Sequence, residues 1–119
     1  MTTKLEVYES GDQFGAKYTF EFANEGFPMH NHSPDEEHSI NCIKGRVLVY
    51  GDGWQQLLLP GDVWESQSNI QHEVAALDDG TETLNILLNG KTEKYQNVTS
   101  EMLSNLPTSI VTPPAVLSQ

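Results

Sequence analysis

His30-Asn-His32-Ser-Pro34-Asp35-Glu36-Glu37-His38-Ser-Ile40-Asn-Cys42-Ile-Lys44-Gly45 is the stretch on which this chain turns. Of the four histidines in the sequence, three stand here, at 30, 32 and 38. Imidazole is the commonest protein ligand for zinc and suits iron, copper and nickel as well. On an extended strand, side chains i and i+2 share a face. His30 and His32 therefore point the same way, within reach of one ion, and the rest of the chain is read for what completes the site.

Downstream, Glu37–Ile43 reads as a strand broken by Lys44-Gly45, and Arg46–Tyr50 runs on as the next. Gly51-Asp52-Gly53 is a hairpin signal because glycine accepts positive φ, and Trp54–Leu59 is the return strand. Pro60-Gly61-Asp62 makes a tight turn, in which Asp62 serves the turn itself. Val63–Glu65 is a short strand, and the polar Ser66–Gln71 leads to the fourth histidine, His72. Glu73–Leu77 and Thr83–Leu88 are strands on either side of the Asp78-Asp79-Gly80 turn.

Upstream, Leu5 and Val7 alternate with charged residues, and Tyr18, Phe20 and Phe22 share one face of a second extended stretch. Asn24–Pro28 reads as a turn delivering the chain to Met29-His30, and Ser33-Pro34-Asp35 as another. Towards the C-terminus, Thr99 is placed to cap a short helix through Leu106, which Pro107 ends. Thr108–Gln119 is expected as an extended tail. Many short strands with Gly, Pro and Asp turns predict an all-β fold, an antiparallel sandwich or barrel. Phe20, Phe22, Tyr50 and Trp64 are expected in its core, and Cys42 as a small buried hydrophobe.

The sequence has 119 residues, the length of one domain, with a core at about 16–90 and an extension over 98–119. Seventeen acidic residues against six basic ones give a net charge of -11, which disfavours nucleic acid and anionic membranes as partners. No stretch approaches the roughly 20 apolar residues of a membrane span. A lone cysteine and an N-terminus without an apolar leader fit a cytoplasmic protein.

The order HxH, strand, glycine, hairpin, P-G-D and later histidine resembles the cupin superfamily, in particular the small single-domain cupins with a type-2 conserved barrel. The first motif of that family reads HxH, three or four residues, Glu, six residues, Gly. With Gly45 as anchor, His38 stands at the glutamate position, while Glu36 and Glu37 hold the usual spacing from His32. The second motif is matched by Pro60-Gly61-Asp62 and, after nine intervening residues, by His72. Gln67 stands where that motif often has proline, and Ala76 where asparagine sometimes follows. The resemblance spans roughly residues 16–90.

It implies an antiparallel β-barrel or jelly roll with one metal inside, held by His30, His32, His72 and either His38 or Glu37. Strand phase separates the last two. His38, Ile40 and Cys42 share one face, and Glu37, Ser39, Asn41 and Ile43 the other. The first set is the more apolar and favours His38 as the inward residue. Nitrogen ligation suits Fe(II), with Ni, Zn, Cu or Mn as alternatives. The resemblance further implies a metal-dependent oxygenase, lyase or isomerase acting on a small polar molecule, or else a non-catalytic metal- or ligand-binding barrel of sensor or storage type. It also implies a homodimer formed through sheet edges, with the strand Lys4–Tyr8 and the tail in need of partners.

Overall fold

The structure, a computed structural model, describes residues 3–11, 13–30, 38–66, 70–87 and 109–117. Ten strands follow one another: β1 (Lys4–Ser10), β2 (Gln13–Phe20), β3 (Glu25–His30), β4 (His38–Lys44), β5 (Val47–Gly51), β6 (Trp54–Leu58), β7 (Val63–Glu65), β8 (His72–Ala76), β9 (Thr81–Leu87) and β10 (Ser109–Ile110). They form two five-stranded antiparallel sheets, ordered β1-β2-β9-β4-β7 and β10-β3-β8-β5-β6. Among the described residues there is no helix, and so none long and apolar enough to cross a membrane. The helix expected at Thr99–Leu106 lies outside the described residues.

Alternation decides which faces meet. From the first sheet Ile40 and Cys42 point inward, and from the second Val47, Val49, Leu58 and Val74, with Phe27, Trp54 and Trp64 packed against them. A second cluster joins Ala16, Tyr18 and Phe20 to Ala76, and the Phe27 ring stands edge-on to Tyr18 at 4.9 Å. Each fully buried aliphatic or aromatic side chain in such a core is worth about 1.5–3 kcal/mol. Phe22, expected in the core, lies past the end of β2 and is 53% exposed.

The turns fall where glycine permits them. Gly53 (φ 78°) closes the two-residue β5–β6 hairpin, and Gly45 (φ 75°) ends β4. At the Pro60-Gly61-Asp62 turn the Asp62 carboxylate accepts from the Leu59 amide at 3.0 Å.

The segment Asn24–Pro28 departs from its sequence reading. The turn ends at Asn24, and Glu25–Pro28 is already strand. Gly26 and Pro28, read as breakers, have other reasons to be there. A Cβ on Gly26 would collide with the Val74 carbonyl, so glycine is what lets β3 lie close against β8. Pro28 sits between Phe27 and His30, where the β3–β8 register shifts and no ladder amide is required.

Two segments expected to need outside partners find them within the chain. Strand β1 pairs along its length with β2. The tail pairs with β3 through β10, buries Val111 against Leu48, Tyr50 and Ala75, and is tied by the Leu117 amide to the Gln55 side chain at 2.8 Å.

Two glycine substitutions separate close approach from mere glycine. Gly26→Ala should lower unfolding free energy by at least about 2 kcal/mol, because backbone must move. At Gly15 an added Cβ meets nothing nearer than 3.4 Å. Gly15→Ala should therefore change stability by less than about 1 kcal/mol. Urea unfolding of both variants checks this, and equal effects would contradict the close β3–β8 contact.

Candidate metal centre

The register of β3 against β8 builds the site. Gly26 opposes Ala75 and Phe27 opposes Val74, but His30 opposes His72. An unbroken ladder would have set Met29 against His72. One extra residue on β3 shifts the phase, and Met29 is left 47% exposed. His72 itself is fully buried and shares its inward row with Val74 and Ala76.

The His72 ring is held from both sides. Its Nδ1 lies 2.9 Å from the Ile70 carbonyl, which can only accept, so Nδ1 carries the proton and donates it. In the neutral ring the lone pair is then on Nε2, itself buried. A backbone carbonyl on the distal nitrogen is the usual way a metal-ligating imidazole is oriented. Trp64 lies 4.8 Å from the ring, centre to centre, and Trp54 stacks on Trp64 at 6.1 Å.

His38 comes from the other sheet. It opens β4, is buried, and stands on the row of Ile40 and Cys42 that enters the core. Its backbone is clamped to the end of β7, donating to Ser66 Oγ at 2.9 Å and accepting from the Ser66 amide at 3.0 Å. Trp64 pairs with Ile40 and touches His72, so the β4 and β8 starts lie at the same end of the sandwich. β3 ends at His30 opposite His72, where β8 begins, and β4 begins at His38, so the three backbone positions lie at one end, two on one sheet and one on the other.

His32, Glu36 and Glu37 lie outside the described residues. Among the described residues, no three His, Cys, Asp or Glu side chains form a metal-binding group. Cys42 is a buried thiol whose pKa burial pushes up, with Sγ 3.4 Å from the Gly45 carbonyl. That supports a packing role for it.

The inner wall also carries polar groups that pattern reading passed over. Strand β9 runs inverted, with Thr81, Thr83 and Asn85 facing inward and Leu84 and Ile86 outward. Thr83 Oγ1 and Asn85 Oδ1 are buried with no hydrogen-bond partner. Buried oxygens left so are uncommon in native proteins and call for a ligand or an ordered water. The polar–apolar alternation of Thr83–Ile86 was the available signal, and only the neighbouring strands decide which set faces in.

No family model and no curated protein matches the chain. Solved structures do. KdgF from Halomonas sp. superposes with a TM-score of 0.63 at 17% identity, over 79% of this chain and 84% of that one. A cupin-2 domain protein from Shewanella frigidimarina gives 0.58 at 17%, over 70% and 78%. The chain has the cupin fold. An RmlC-like cupin from Desulfovibrio desulfuricans shares 26% identity at a TM-score of 0.56, over 72% of this chain and 80% of its own.

Thr83 offers a check on the inner wall. Replacing an unpartnered buried hydroxyl by a methyl of equal size removes a desolvation cost. Thr83→Val should therefore be neutral or stabilising by up to about 1 kcal/mol in the protein stripped of ligands. Thermal unfolding measures it, and a clear loss of stability would show that the hydroxyl has a structural partner.

Proposed function

We propose that this cupin binds one divalent transition metal inside its barrel through His30, His32 and His72, with His38 as fourth ligand and Glu37 as the alternative. The observation that carries the reading is the bulged β3–β8 register, which sets His30 directly opposite the buried His72. The donor set fits. His72 presents Nε2 with its tautomer set by the Ile70 carbonyl, and His38 is buried on the facing sheet. Imidazoles in such number suit Fe(II) best, with Ni, Zn, Cu or Mn able to substitute.

A bound metal with open positions supplies Lewis acidity, or a place for dioxygen, beside a chelated substrate. On that reading the protein is a metal-dependent enzyme, an oxygenase, lyase or isomerase, and its substrate a small polar organic molecule. The chain's own residues do the rest. Trp64 and Trp54 form an apolar wall beside His72, while the Asn85 amide and Thr83 hydroxyl give polar recognition on the opposite wall. The barrel excludes bulk water from the groups between them, which strengthens each hydrogen bond made there.

Metal content of tag-free protein tests the reading, alongside titration of the stripped protein with Ni(II) or Co(II). Binding should quench Trp64 fluorescence, given its contact with His72. His30→Ala and His72→Ala should each weaken metal binding by at least about tenfold. His38→Ala against Glu37→Ala decides the fourth ligand. Affinity should fall as pH drops through the ordinary histidine range, about 6 to 7, because protons compete for the same nitrogens. Full occupancy in all the histidine variants would sink the site, and metal binding without turnover of any chelating substrate would favour a sensor or storage barrel.

A further inference from the structure

Strand registers lay out the inner face of the β1-β2-β9-β4-β7 sheet row by row. Asn85 opposes Ala16 on one side and Ile40 on the other, and Ile40 in turn opposes Trp64. Ala16, Asn85, Ile40 and Trp64 therefore make one row across four strands, with backbones about 4.8 Å apart. In the next row towards the start of β4, His38 opposes Leu87, so Asn85 is the diagonal neighbour of His38. In the next row the other way, Thr83 stands between Tyr18 and Cys42. The row of Asn85 thus runs from the small side chain of Ala16 to the aromatic ring that lies 4.8 Å from His72.

Two oxygens on this wall lack the proton they could share. Thr83 is 1% exposed, and its Oγ1 and the Asn85 Oδ1 are buried with no hydrogen-bond partner among the described residues. Standing two residues apart on one strand, they are neighbours on one face. An amide oxygen only accepts, whereas a hydroxyl both donates and accepts. The group that satisfies the pair must therefore bring a proton, and an ionised carboxylate has none. Nor is a cation at hand to offset a carboxylate's charge. Among the described basic residues, Lys17 is paired with Glu82 and Arg46 with Asp78, while Lys4 and Lys44 are exposed. Taking an unpaired anion out of water is costly, and a net charge of -11 repels it before it arrives. An ammonium group brings protons, but the divalent metal proposed in the same barrel repels it. A neutral hydroxyl meets none of these costs.

We propose that Asn85 and Thr83 form a subsite for a neutral hydroxyl group, through which the barrel selects a polyhydroxylated ligand over its carboxylate counterpart. The inference rests on the metal-binding reading for the ligand's other end, and it names what the chain recognises at this one. Binding by the metal-stripped full chain tests it. Glycerol and glycerate are the probes, identical except that one CH2OH of the first is a carboxylate in the second. Each is titrated to molar concentration while 15N-edited NMR follows the Asn85 side-chain amide and the Ile40 and Trp64 backbone amides. Glycerol should shift these resonances and bind at least about fivefold more tightly than glycerate. Thr83→Val and Asn85→Leu should each weaken glycerol binding by about fivefold and bring the two probes level. Thr83→Ser, which keeps the hydroxyl, should restore the preference. Glycerate binding as tightly as glycerol to the wild type overturns the proposal, as does a preference that survives both Thr83→Val and Asn85→Leu. So does silence of these resonances towards glycerol, the result expected where ordered water alone satisfies the two oxygens. Because no metal is present in the titration, failure of the metal site and failure of the subsite are read separately.

Discussion

The close pairing of β3 with β8 is the constraint on which the site depends. It requires glycine at 26, because the Val74 carbonyl occupies the space of a side chain. It tolerates proline at 28, because the bulge needs no ladder amide there. The same bulge sets His30, in place of Met29, opposite the buried His72. A one-residue insertion thus has the consequence of a register slip, and it determines which residue of β3 is paired with His72.

A second departure from simple patterning runs through β9. Strands of a sandwich ordinarily bury their apolar set and expose their polar set. Here the central strand of one sheet does the reverse, leaving Thr83 Oγ1 and Asn85 Oδ1 without partners inside and Leu84 and Ile86 outside. Local rules broken at both faces of one strand are what functional surfaces look like. The inner violation lies in the same barrel as the histidines, and the outer one forms the floor of an apolar groove.

Much of the architecture was legible in the sequence. Asp52-Gly53 and Gly45 announce their turns because few other residues accept positive φ, and the phase of β4 follows from Ile40 and Cys42 being apolar on the side of His38. The family resemblance put His72 inside the barrel, and it is buried there on the row of Val74. What stayed hidden depends on the partner strand. Gly26 and Pro28 look like a turn until β8 is beside them, and the alternation of Thr83–Ile86 does not tell which of its sets faces inward. The partners of β1 and of the tail, supplied by β2 and β3, were likewise invisible in local sequence.

The central claim is that the opposed pair His30 and His72 holds a metal on the inner face of β3 and β8. Anomalous diffraction from crystals of metal-loaded, tag-free protein tests this most directly. The account predicts one strong peak at about 2.1 Å from His72 Nε2, shared with His30. A peak on surface acids alone, with His72 Nε2 bonded only to protein, would contradict it.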